Sequence, residues 1–230
     1  MSFKGKKILF ISPRFFNYEV AIVEKLTELG AEVDFFDERP SNSIFSKGII
    51  RVNPKLYKSQ INKYYQSIQN KIKGNTYDYF LLIKGESIPF EFLEELHSNQ
   101  PKAKKIFYTY DSVFEYPKFK ELMNYFDKNI SFEPSDVKEY SFLFRPLFYL
   151  NTYQKNENHK RNYDIVFIGS AHTDRYLIGE KVNQIAKDLN LKTYFYYYIP
   201  NKITYYFKKI FDQNFKRFDL DKLSFDKLTH

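Results

Sequence analysis

Lys7-Ile8-Leu9-Phe10-Ile11-Ser12 is a continuous apolar run, followed by a helical pattern to Leu29, then Gly30 and the β-rich Ala31-Glu32-Val33-Asp34-Phe35-Phe36. The same order returns downstream: Tyr163-Asp164-Ile165-Val166-Phe167-Ile168-Gly169, a helical pattern to Leu189, and Lys192-Thr193-Tyr194-Phe195-Tyr196. An apolar strand, a polar loop, an amphipathic helix and a second β-rich run are how a parallel βαβ unit begins. Two such openings predict an α/β chain of two Rossmann-like domains with mostly parallel sheets and a cleft between them. The second has only residues 163–230 in which to finish, so it is expected to be incomplete.

Between the two openings the pattern alternates. Strands are predicted at 7–12, 32–37 and 48–52, and a helix after Pro54 carries Leu56, Ile61, Tyr64, Ile68 and Ile72 near helical spacing until Gly74 ends it. Tyr79-Phe80-Leu81-Leu82-Ile83 reads as a strand covered on both faces. Pro89 opens a short helix, Lys105–Tyr110 and Asn129–Phe132 are further strands, and a helical turn at Pro134 and Asp136 precedes Phe142-Leu143-Phe144. This alternation predicts a doubly wound sheet over residues 1–150. Residues 151–162 are polar, lack an apolar period and read as a linker. The second domain opens at 163, and a basic, aromatic helix is predicted after Pro200. A truncated chain is the expectation for the short final stretch.

The chain has no cysteine, which excludes disulfides, thiolate metal sites and a cysteine nucleophile. Its four histidines and scattered carboxylates show no metal-ligand spacing. The N-terminal residues lack the apolar segment of a signal peptide, and no run approaches the ~20 apolar residues of a membrane span. A soluble cytoplasmic protein is expected. The formal net charge of +8 fits attraction to phosphates or to an anionic membrane at the inner face, and equally fits a Lys-rich composition without a dedicated partner. No nucleic-acid-binding motif is present, so specific nucleic-acid recognition is not expected. Lys202, Lys208, Lys209, Lys216 and Arg217, interleaved with aromatics, could form a membrane-surface module or an ordinary helix face.

Ligands of an open parallel sheet collect beyond the carboxyl ends of its strands. Strand one delivers Arg14 and Asn17 there, the strand at 79–83 delivers Lys84, Gly85 and Glu86, and the next delivers Asp111. Lys84 and Glu86 could bind a sugar hydroxyl, supply a general base, or form a surface ion pair. Asp111 follows an apolar strand and is expected to be partly buried with a raised pKa, which suits a base. In the second opening, Gly169 and Ser170 precede His172 and Arg175. A glycine there would let backbone approach a phosphate at a helix N-terminus, with His172 and Arg175 adding charge, or it would merely permit a turn.

Tyr77–Glu86, Lys105–Ser112, Phe132–Val137, Arg145–Tyr149 and Tyr163–Tyr176 together resemble the CgeB-like, spore-maturation-type glycosyltransferases in order and spacing. The resemblance covers most of the chain from Lys7 to about Phe195. It implies a GT-B fold, with the acceptor held mainly by the first domain and the nucleotide-sugar donor by the second. It implies sugar transfer to a surface-glycan, lipid-linked or protein acceptor, usually without a bound metal or other cofactor. On these positions Gly169, Ser170, His172 and Arg175 would lie beside the donor diphosphate, while Arg14, Asn17, Lys84, Glu86 and Asp111 would face the acceptor. Asp111 and Glu86 are the expected catalytic carboxylates. The later donor contacts of such families have no counterpart before residue 230, which leaves room for a non-catalytic nucleotide- or glycan-binding partner protein.

Overall fold

The computed structural model describes residues 2–40, 54–150, 161–171, 174–212, 215–217 and 223–226. The chain forms two compact units, residues 1–154 and 155–230. The strand expected at 48–52, most of the linker and His172 lie outside the described residues.

Unit 1 contains β1 (Lys7–Ser12), α1 (Tyr18–Glu28), β2 (Glu32–Asp37), α2 (Pro54–Ile72), β3 (Tyr79–Ile83), α3 (Phe90–Asn99) and β4 (Lys104–Thr109). It continues with α4 (Phe119–Leu122), a 3-10 turn (Met123–Tyr125), β5 (Lys128–Ser131), α5 (Pro134–Tyr140) and β6 (Leu143–Phe144). The six strands form one sheet in the order β2-β1-β3-β4-β5-β6, and every adjacent pair is parallel. The chain first steps from β1 to β2, then crosses back over β1 to β3. Right-handed crossovers therefore put α1 on one face and the later helices on the other.

Side chains alternate accordingly. Leu9, Ile11, Phe80, Leu82 and Phe107 point into the main core with Tyr65, Ile68 and Ile72 of α2, Phe92, Leu93 and Leu96 of α3, and Phe119 and Leu122 of α4. Ile8 and Phe10 are buried on the opposite face. The reversal of strand order at β1 opens a crevice beyond the carboxyl ends of β1 and β3.

Unit 2 contains β7 (Ile165–Ser170), α6 (Arg175–Asp188), β8 (Thr193–Tyr198), α7 (Lys202–Phe211), a 3-10 turn (Phe215–Arg217) and β9 (Leu223–Ser224). Its sheet runs β7-β8-β9, again all parallel. Phe167, Phe195 and Tyr197 pack with Tyr176, Leu177, Tyr205 and Phe215 on one face. The other face leaves Val166, Ile168 and Tyr194 exposed, so the described part of unit 2 is half of a doubly wound layer.

One close approach governs this half-layer. A Cβ on Gly179 would overlap the Tyr197 hydroxyl and sit 3.0 Å from its Cζ, so α6 rests on the sheet through a glycine. Gly179→Ala should therefore destabilise unit 2: overpacking costs about 1–3 kcal/mol, more than the about 1 kcal/mol gained in helix propensity. Tyr197→Phe in the same chain should recover part of the loss, because it removes the overlapping atom. Urea unfolding of the two single variants and the double variant tests this, and additive effects within about 0.5 kcal/mol would refute the contact.

Candidate functional site

The turn after β3 places the most heavily connected side chains of unit 1. Lys84 and Gly85 both have positive φ, 77° and 75°. Gly85 is required there twice over, since a Cβ would also sit 2.9 Å from Leu122 Cδ1 of α4. Lys84 carries its side chain in a conformation that L-residues seldom adopt. The turn aims its ammonium at two carboxylates, Glu86 Oε1 at 3.0 Å and Asp111 Oδ2 at 3.1 Å. Three strand-end residues nominated by the sequence, Lys84, Glu86 and Asp111, thus meet in one cluster.

Residues that the sequence reading passed over complete it. Arg39, just beyond β2, donates from Nη2 to Glu86 Oε2 at 2.5 Å. The Tyr116 phenol lies near enough to Glu86 to act on its carboxylate, and Lys118 Nζ donates to the carbonyls of Glu86 (3.1 Å) and Ile88 (2.7 Å). Burial alone would raise Glu86, yet Tyr116, Lys84 and Arg39 together hold its carboxyl below the usual value. Burial lowers the Lys84 ammonium, but Glu86 and Asp111 outweigh it and leave that group raised. Lys118 goes the other way, and burial pulls it below its ordinary value despite Glu38, Glu121, Glu86 and Glu91 nearby.

Glu86 is thus occupied on both oxygens and behaves as an anchor. Asp111 has one ion pair and its side chain is 32% exposed, which makes it the more accessible carboxylate. Thr109 Oγ1 accepts from the Asp111 N–H and donates to its carbonyl, which fixes the turn at the end of β4. Arg14 lies farther out, exposed, with Nε 3.6 Å from Asp37 Oδ2.

A row of aromatic rings joins the chain segments that follow β1, β4 and β6. Phe15 and Phe16 are 4.4 Å apart, and each is 6.2 Å from Tyr18. Tyr18 lies 5.5 Å from Phe148, Phe148 lies 6.0 Å from Tyr110, and Tyr110 lies 5.1 Å from Tyr108. Phe15, Phe16 and Phe148 are 54%, 50% and 40% exposed, while the Tyr110 hydroxyl is buried without a hydrogen-bond partner among the described residues. Phe16 and Asn17 are both left-handed, with φ of 52° and 60°. For Phe16 this costs about 1–2 kcal/mol, so the turn presents its ring at an energetic cost. Arg14, Phe15, Phe16, Asn17 and Glu19 line a cavity of about 480 Å³ at this end of the sheet. A second cavity of about 450 Å³ lies at the amino end, near Asn75 and Gln100. There Gln69 and Gln100 are engaged by Phe92, Tyr77 and Asn75, which is structural work.

The unit 2 candidates sit differently from expectation. Gly169 is inside β7, paired with Tyr197, rather than in the following loop. The space a Cβ would need is filled by the Phe167 ring, with Cζ at 2.9 Å, so this glycine serves strand packing. Ser170 ends the strand, and Arg175 is the exposed first residue of α6. Among the described residues no three His, Cys, Asp or Glu side chains are grouped to hold a metal ion. No helix among them is long and apolar enough to cross a membrane. No protein-family model and no curated protein matches the chain.

Glu38, beneath the cluster, is fully buried. One carboxylate oxygen accepts from the Ser87 N–H, and Oε2 has no partner among the described residues. Burial pushes its carboxyl up to about 7, and Glu86 adds to the rise. Between pH 4.5 and about 7 the folded chain keeps this proton while the unfolded chain has released it. The unfolded state then binds fewer protons, so stability falls as pH rises through that window. Glu38→Gln should flatten the fall by roughly 3 kcal/mol. Urea unfolding across this pH range reads it, and equal slopes for wild type and variant would refute a neutral Glu38.

Proposed function

We propose that the chain is a glycosyltransferase of the CgeB-like type, with unit 1 holding the sugar acceptor and unit 2 meeting the nucleotide-sugar donor. The observation that carries this reading is the aromatic row that reaches Tyr110, the residue before Asp111, at the strand carboxyl ends. A sugar ring has an apolar C–H face and a polar hydroxyl rim. Aromatic rings suit the face, and convergent charged groups suit the rim. An acceptor stacked on Phe16, Tyr18 and Phe148 would bring a hydroxyl toward Asp111.

In this role Asp111 accepts the acceptor proton as the glycosyl bond forms. Lys84 orients that carboxylate through their ion pair, and Glu86 with Arg39 fixes Lys84. On the donor side Ser170, His172 and Arg175 are the proposed diphosphate contacts, Arg175 supplying charge against the leaving group. Gly169, being inside β7, contributes close packing instead. The order of two parallel α/β units in one chain supports the same reading, as does the sequence resemblance. A surface-glycan, lipid-linked or protein-borne sugar is the proposed acceptor class.

Calorimetry with a panel of nucleoside diphosphates and nucleotide-sugars, followed by transfer assays on glycan acceptors, tests the proposal. Asp111→Asn should cut transfer about 10²–10⁴-fold with donor binding retained, and Arg175→Ala should weaken diphosphate binding about tenfold. Wild-type transfer by Asp111→Asn would overturn the assignment. Nucleotide binding without any transfer would instead mark a non-catalytic binding partner.

A further inference from the structure

Helix α7 is built for a surface that the described residues of unit 2 do not supply. Tyr205 is its one buried side chain, packed with Phe215 and Phe225. On the opposite side, Ile203, Tyr206, Phe207, Ile210 and Phe211 are 82%, 61%, 63%, 63% and 70% exposed. Their spacing of three and four residues places them in one stripe about 140° wide. Soluble monomers rarely show so continuous an apolar patch, and a patch of this kind marks a docking surface.

The charges around the stripe say what docks. Residues 201–217 hold five cations, Lys202, Lys208, Lys209, Lys216 and Arg217, and one carboxylate, Asp212. Asp212 faces inward, accepting from Tyr176 Oη at 2.8 Å and from the Phe215 N–H at 3.1 Å. Lys202 and Lys209 follow one rim of the stripe and Lys208 the other. Lys209 Nζ is held 2.9 Å from Tyr205 Oη, and Lys208 Nζ lies 5.3 Å from the centre of the Phe215 ring. Both ammonium groups therefore sit level with the core side of the helix, above the apolar stripe. Lys202, Lys209, Tyr205, Tyr206 and Phe225 also line a cavity of about 350 Å³ whose two cations suit a phosphate.

We propose that α7 docks unit 2 onto an anionic lipid surface. The five apolar side chains enter the boundary between headgroups and acyl chains, and the rim lysines stay at headgroup level against lipid phosphates. A second copy of the chain is a poorer occupant, because isologous pairing would set one ring of lysines against another. The inference is independent of the glycosyl-transfer reading.

The chain has no tryptophan, so Ile203→Trp gives a single fluorophore on the stripe. Its emission should shift to the blue on vesicles of mixed phosphatidylglycerol and phosphatidylcholine, and stay unshifted on phosphatidylcholine alone. Co-sedimentation of the full chain with the anionic vesicles should weaken about tenfold or more in Phe207→Ser/Phe211→Ser. It should also weaken in Lys202→Glu/Lys216→Glu and in about 0.5 M salt. Circular dichroism checks that the variants fold. No shift on anionic vesicles, or an equal shift on neutral ones, overturns the proposal. A shift that grows with protein concentration in the absence of lipid also overturns it and assigns the stripe to a second copy.

Discussion

The Lys84 ammonium, held between Glu86 and Asp111, is the interaction on which the unit 1 site depends. It can form only because the chain leaving β3 takes two successive residues through the left-handed region. That turn in turn needs a glycine at 85, where Leu122, Leu82 and Phe107 leave no room for a side chain. The hydrophobic core below therefore sets the position of the charge above. A looser contact between α4 and the sheet would relax the turn and separate the ends of β3 and β4 electrostatically, although the strands would stay paired.

Two glutamates a few residues from this point show how local partners decide protonation. Glu86 is partly buried but meets two cations and a phenol, and it stays charged at unusually low pH. Glu38 is fully buried and receives one backbone N–H, and its other oxygen has no partner among the described residues. Desolvation wins there, and its carboxyl holds a proton near neutrality. Since Glu86 contributes to that rise while its partner Arg39 opposes it, the two groups are linked through one ion pair. A cluster so cross-braced holds Asp111 at a fixed place at the end of β4.

The fold was legible because a period-two apolar run followed by a period-3.6 pattern has few solutions, and it occurs twice. Strand ends were legible for the same reason, which is how Arg14, Lys84, Glu86 and Asp111 were found. Glu38 and Arg39 were missed although they leave β2 just as Lys84 leaves β3, so the same rule applied there would have nominated them. Tyr116 and Lys118 lie in a loop without any period, and only the packing of α4 brings them to Glu86. The exposed aromatic row had no sequence signal, because 20% of the chain is aromatic and most such rings serve the core. Gly169 reads from sequence as a residue of the loop after the strand, whereas the strand continues through it and Phe167 fills the space beside it.

The two openings are alike for one strand, one helix and a second strand, and then they diverge. In unit 1 the chain crosses back past β1, so that strand has neighbours on both sides and a crevice forms where the order reverses. In unit 2 the described strands follow in sequence, β7-β8-β9, and both crossovers lie on one face. No strand among the described residues pairs with the free edge of β7, so no reversal is seen among them beside Ser170. There the strand end is followed by the start of α6, with Arg175 exposed as its first residue. The same motif thus builds a crevice at the strand ends of one unit and, among the described residues of the other, sequential strands without a reversal, and the difference comes from the direction of the third step.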